Sequence, residues 1–213
     1  MKAIPGLLTI RKRSTVKMNN GRFQVNVSDE YVKSLPIKRF HGQILLVDHT
    51  SLFDDAKKIL DKELLLGFDT ETKPSFKKGR VHNVALLQLS TGESAVLFRL
   101  NKVHVPKFVI DILENKDIIK AGVALKDDLT GLKKIARIEP DSFIDLQKWI
   151  KQFGIEDNGL KKLAANVLGF RISKKCQTSN WEQDVLTAEQ LEYAATDAWV
   201  CREIFTTLLN HQC

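Results

Sequence analysis

The sequence predicts an α/β domain on a mixed sheet of five to six strands flanked by helices, and three observations carry that reading. Residues 64–69 form a continuous apolar run ending in acid, which marks a central strand covered on both faces. Two further strand-like runs, 84–89 and 94–100, flank the turn residues Ser90-Thr91-Gly92-Glu93 and read as an antiparallel hairpin. From residue 118 strand and helix patterns alternate, and beyond residue 146 only helical patterns remain.

Taken in order, Ser28-Asp29-Glu30 ahead of YVKSL is a helix start with Ser28 or Asp29 as its cap. GQILLVD at 42–48 reads as a strand, and 54–60 as a helix with Phe53, Ala56, Ile59 and Leu60 at helical spacing. After the central strand and the hairpin, a helix over 106–115 leads to a buried strand over 118–125. A helix at 127–135 and a short strand at 143–146 follow, then helices over 146–153, 159–168 and 187–209. Gln88 stands inside an apolar strand and needs a hydrogen-bond partner, expected near any active site.

Composition narrows the class. At 213 residues, 43% hydrophobic and 28% charged, the chain can build a full core without disulfides or structural metal. Its apolar stretches fall far short of the ~18 residues a membrane span needs, so no membrane partner is expected. The charge of Arg11-Lys12-Arg13 follows the first apolar run instead of preceding it, against a secretory signal. Three widely spaced cysteines with no CxxC pair predict reduced thiols in a cytoplasm-like compartment. The net charge of +7 is uneven: Lys2, Arg11, Lys12, Arg13, Lys17 and Arg22 crowd the first 28 residues without a single acid there. The expected organisation is a basic, mobile arm over 1–27 and one domain over 28–213; such an arm suits phosphate backbones or a solvated terminus equally. Nothing in the chain sets its oligomeric state.

Chemistry in open α/β sheets collects at strand ends, and acids stand at three such places. Asp69 and Glu71 in GFDTET close the central strand two residues apart, so both carboxylates share a face. Two like charges about 4 Å apart repel by roughly 4 kcal/mol at an effective dielectric near 20. Divalent cations remove that penalty, and oxygen-only ligation favours Mg²⁺ or Mn²⁺ over zinc. Asp127-Asp128 directly follows the strand over 118–125, where a helix N-cap explains one of the two acids. Tyr193 and Asp197 stand four apart on one face of the last helix.

GFDTET, AGVALKDDL and YAATDA together resemble the three motifs of the DEDDy group of 3′→5′ exonucleases. VALLQLST and SNWEQDVLTAEQLEYAATDAWVCREIF extend the likeness to the exonuclease domain of the Werner syndrome helicase and its free-standing bacterial relatives, with RNase D more distant. The resemblance covers about residues 45–209. It implies an RNase H-like fold and assigns Asp69 and Glu71 to the first motif, Asp128 to the second, and Tyr193 and Asp197 to the third. Asp127 then becomes a capping or surface acid. The four carboxylates would hold two Mg²⁺ or Mn²⁺ ions, Asp128 on the looser one, with no small-molecule cofactor. Tyr193, a poor base at its ordinary pKa near 10, would orient the attacking water. No helicase motor follows these motifs and no helical accessory domain fits beside them, so what such parts contribute to substrate choice is not implied.

The expected partner is a single-stranded or recessed 3′ end of nucleic acid, DNA favoured, with nucleoside 5′-monophosphates released. An RNase D-like RNA processor and a catalytically silent binding module on the same fold are the alternatives. Thr70, between the two acids, and the basic loop Lys73, Phe76, Lys77, Lys78 and Arg80 are the expected substrate contacts, for phosphate neutralisation and base stacking. Arg171, Lys174, Lys175 and Trp181 form a second basic-aromatic stretch, with Trp181 expected in the core. The histidines show no metal-ligand spacing.

Overall fold

The computed structural model describes residues 22–75 and 82–211. Six strands form one mixed sheet in the order β1-β4-β3-β2-β5-β6: β1 Gln43–Val47, β2 Leu65–Thr72, β3 Val84–Ser90, β4 Ser94–Arg99, β5 Ile119–Gly122 and β6 Phe143–Asp145. The central strands pair antiparallel, β2 with β3 and β3 with β4, and the outer pairings β1–β4, β2–β5 and β5–β6 are parallel. Every residue of β3 is buried, as expected of a strand with helices on both faces.

Helices α1 Asp29–Ser34, α2 Phe53–Leu60, α3 Lys107–Glu114 and α4 Lys126–Ile135 are followed by short α5 Leu146–Trp149 and α6 Leu160–Leu163, then by long α7 Ala188–Asn210. On one face of the sheet, α2, α3 and α4 bury Leu60, Val109 and Leu132 against Leu66, Phe68, Leu87 and Phe98. On the other, α7 and the short helices pack Ile204, Phe205, Leu146 and Leu163 against Leu65 and Ile119. Two adjacent strand residues therefore face different cores, and that alternation places the acids of β2. Among the described residues no helix is long and apolar enough to cross a membrane.

Local chemistry explains the element ends. Ser28 caps α1 by accepting the Tyr31 N–H at 3.1 Å. Thr187 and Gln190 form a reciprocal capping box at the start of α7. Lys120, fully buried in β5, donates to the carbonyls of Ile112, Asn115 and Ile118 at 3.0, 2.9 and 2.8 Å, tying the end of α3 to the sheet. Burial pushes its pKa down to about 8.

Three expectations are corrected. The strand expected over 118–125 stops at Gly122; Ala124 turns at φ +58° and Leu125, the last apolar residue of the run, is buried in the opposite core. Of the two roles expected for Asp127, capping or surface acid, it takes the second: the capping position of α4 is Leu125, with no side-chain bond, and Asp127 is an exposed acid in the first turn. The helices expected over 146–153 and 159–168 each break, into a tight 3₁₀ turn at Ile150–Phe153 and a wide π turn at Ala164–Leu168. The last residues of the expected arm belong to the domain: Val27 is buried and its N–H donates to Asp157, while Gln24 exchanges backbone bonds with the Asn166 amide. Residues 1–21, which hold the remainder of that arm, lie outside the described residues.

Candidate active site

Alternation along β2 sends Gly67, Asp69 and Glu71 toward α7 and Phe68 and Thr70 toward α4. On α7, Tyr193 and Asp197 lie one turn apart and face the same place. The helix approaches closely because Ala194, Ala195 and Ala198 are small and fully buried. As a result, Asp69, Glu71 and Asp197 each bring one carboxylate oxygen within 4.8 Å of the others. Asp197 is 7% exposed, and its Oδ1 has no hydrogen bond among the described residues.

The electrostatics are those of anions crowded without a counter-charge. Burial, and then the Asp197 and Asp128 charges, hold the Asp69 carboxyl well above the usual carboxylate range. Burial and the neighbouring acids push Glu71 up to about 10. Asp197 rises to about 7 through burial, opposed by its hydrogen bond with Tyr193. The Tyr193 phenol is itself driven above its ordinary value by burial and by Asp197 and Glu71, so it is a proton-bearing hydrogen-bond donor at neutral pH. Trp181, in the core as expected, stands behind the tyrosine with ring centroids 6.0 Å apart. Three oxygen ligands with raised pKa values and one orphaned oxygen fit a hard divalent cation.

Asp128 stands differently. Its charge acts on Asp69 and Glu71, yet it is outside the mutual 4.8 Å group. Its Oδ1 instead accepts the Thr70 hydroxyl proton. Burial raises its pKa and the Thr70 bond counters that rise. The four acids expected around one pocket are therefore three converging and one alongside.

The expected substrate contacts divide. The Thr70 hydroxyl is engaged by Asp128. Lys73 pairs with Glu182 at 3.1 Å, and the same carboxylate meets His82 at 3.2 Å, joining both feet of the basic loop to the segment before α7. Phe76, Lys77, Lys78 and Arg80 lie outside the described residues. Gln88 is directly opposite Asp69 in the β2–β3 register and fully buried, but neither amide atom has a hydrogen-bond partner among the described residues. Arg171 is committed to structure through the Leu35 carbonyl at 2.9 Å. Lys174 helps to line a cavity of about 510 Å³ opening on Tyr193 and Asp197, together with Lys33, Lys161 and Lys162. A smaller cavity of about 240 Å³, also bordered by Tyr193 and Asp197, is lined by Lys175 and Cys176. Lys33, Lys161 and Lys162 escape sequence reading because they look like the polar faces of unrelated helices.

A family model described as 3'-5' exonuclease matches residues 44–211, and the match includes all three acid-bearing segments. The chain belongs to the 3'-5' exonuclease family. Among its relatives, the mouse (Mus musculus) bifunctional 3'-5' exonuclease/ATP-dependent helicase WRN is 34% identical over 187 residues, 83% of this chain and 13% of the relative. The exonuclease domain of Aedes aegypti Nibbler superposes with a TM-score of 0.72 at 24% identity, covering 82% of this chain and 94% of that one. Escherichia coli RNase D gives 0.71 at 21% identity, over 79% of this chain and 44% of that one. These two likenesses bear on the fold, which is the RNase H-like exonuclease fold anticipated from the motifs. The chain spans less than half the length of the curated relatives it matches.

Proposed function

We propose that this chain is a metal-dependent 3′→5′ exonuclease that releases nucleoside 5′-monophosphates from 3′ ends, DNA in preference to RNA, using two Mg²⁺ or Mn²⁺ ions. The observation that carries the reading is the convergence of Asp69, Glu71 and Asp197 beside Tyr193, with Asp128 at the margin. Asp69, Glu71 and Asp197 would hold the tighter ion and Asp128 the looser one. Hard cations, when bound, supply the positive charge that lets these acids ionise together, acidifies the attacking water and stabilises the leaving 3′ oxygen.

The protein's own part is positioning. Tyr193 keeps its proton and donates through its hydroxyl, orienting the water for in-line attack at phosphorus; the P–O3′ bond breaks as the new P–O bond forms. Asp197 anchors the tyrosine and is anchored by it. The lysine-lined cavity on the Tyr193 side suits a strand whose phosphates must be neutralised beside the scissile bond. Preference for DNA is supported by likeness to a relative named DNA polymerase I, from Aquifex aeolicus, 30% identical over 150 residues, 70% of this chain and 24% of the relative.

The deciding experiment incubates 5′-labelled single-stranded and recessed DNA, and matched RNA, with Mg²⁺, Mn²⁺ or EDTA. A ladder shortening from the 3′ end with either metal and absent in EDTA is the expected result. Equal or faster loss of RNA overturns the DNA preference and favours an RNA processor. Binding without laddering overturns the enzyme reading in favour of a silent module.

A further inference from the structure

We propose that Thr70 is a positioning residue whose hydroxyl fixes the Asp128 carboxylate at the open flank of β2 and so builds the looser cation site. The inference rests on the two-cation reading above and goes beyond it, because Thr70 would touch neither ion nor substrate.

The placement follows from register. β2 pairs with β5 over Leu65, Leu66 and Gly67, and Gly122, the last residue of β5, lies against the Phe68 carbonyl, so β2 from Asp69 to Thr72 runs past the end of β5. The corrected end of β5 at Gly122 creates this flank, and the turn after it delivers the first turn of α4, with Asp128, to the gap. Asp128 therefore comes from the layer opposite to the one that carries Asp197. Thr70 is the β2 side chain between Asp69 and Glu71 that faces this layer, and its hydroxyl donates to Asp128.

A tether is needed there. Asp128 is not the capping residue of α4, and the other bond of its carboxylate, to its own backbone N–H, ties it only to its own helix; negative charge on Asp128 and on Asp69 and Glu71 is mutually unfavourable. Beyond Asp128, a cavity of about 280 Å³ is lined by Thr70, Asp128 and His82 and also by Lys134, and it leaves room for the carboxylate to turn. Without the hydroxyl, Asp128 is free to turn away from Asp69 toward that side. Groups that orient a metal ligand from behind typically govern 10–100-fold in metal affinity.

The test counts bound Mn²⁺ by electron paramagnetic resonance of the free ion, without substrate, for the unaltered chain, Thr70→Val and Thr70→Ser. The unaltered chain is expected to bind two ions of unequal affinity. Thr70→Val should keep the tighter and weaken the second by about 10–100-fold, and Thr70→Ser, which retains the hydroxyl, should restore most of it. In an Asp128→Asn background, Thr70→Val should change nothing further. Thr70→Ala serves as a second hydroxyl-free variant if the valine impairs folding, judged by melting in EDTA. Two ions bound normally by the hydroxyl-free variants, or a serine variant as weak as valine, overturns the role of Thr70 alone. An unaltered chain that binds one ion removes the looser site and this inference with it, and one that binds none rejects the metal-dependent reading itself.

Discussion

Gly67 of β2 lies so close beneath Ala198 of α7 that a Cβ at Gly67 would stand 1.8 Å from the Ala198 carbonyl oxygen. The obstacle is backbone, so no side chain can turn aside, and α7 must lift for any larger residue. That contact sets the height of Asp197 above Asp69, one strand alternation along from Gly67. Gly67→Ala is expected to destabilise the fold by about 3 kcal/mol or more, the upper end for overpacking. It should also weaken Mn²⁺ binding by the surviving folded protein. Thermal melts paired with metal titration check both; a stable variant that binds metal normally would show that the helix height is not set here.

Replacing Tyr193 by Phe separates positioning from ligation. The ring stays against Trp181, but the proton directed at the site is lost. Turnover should fall by about 10²-fold, the scale of a misoriented reactant, while Mn²⁺ binding at pH 8 stays near that of the unaltered chain. Asp69→Ala should lose metal and activity together. Matching losses in the two variants, both traced to absent metal, would assign the tyrosine a structural role instead.

The crowded acids make stability depend on pH in a direction opposite to that of most surface carboxylates. Asp197 at about 7 and Glu71 at about 10 are raised above the unfolded values near 4. Between those limits the folded state holds more protons than the unfolded one, so stability falls as pH rises. In EDTA the melting temperature should drop from pH 5 to pH 7.5, a window below the value of about 8 at which buried Lys120 begins an opposing change. Mg²⁺ or Mn²⁺ at a hundredfold excess over its dissociation constant should restore about 2.7 kcal/mol at pH 7.5, and far less at pH 5, where the ligands carry protons. Melting curves at the two pH values with and without metal decide this; an EDTA melt that rises with pH would contradict the reading of the cluster.

How much of this was legible in the sequence depended on whether the deciding contact was local. The apolar run into Asp69, the alternation that pairs it with Glu71 and the helical spacing of Tyr193 and Asp197 are short-range patterns, and each acid stands where they put it. The end of β5 was hidden because Leu125 continues the apolar run while belonging to the opposite core. The bond from Thr70 to Asp128 was hidden for a related reason: residues 58 positions apart meet only once that strand has ended. Lys73 reads as a free basic residue until Glu182 arrives from more than 100 residues away.

That last difference yields a prediction about where the nucleic acid runs. Sequence reading put the phosphate contacts on the loop that begins at Lys73, but Lys73 is neutralised by Glu182, which also meets His82. Lys33, Lys161, Lys162 and Lys174 instead gather around the cavity that opens on Tyr193 and Asp197, and of these Lys162 is partly offset by Asp29 at 3.7 Å. Lys161→Ala and Lys174→Ala should each raise KM and leave kcat nearly unchanged, because they neutralise phosphate equally in ground and transition states. For a single-stranded substrate each should also lower the slope of log affinity against log salt by about 0.7. Lys73→Ala should move that slope much less, since its charge is already balanced. Binding isotherms on labelled single strands at several salt concentrations measure all three variants together. A full loss of slope in Lys73→Ala with none in the other two would return the strand to the loop after β2.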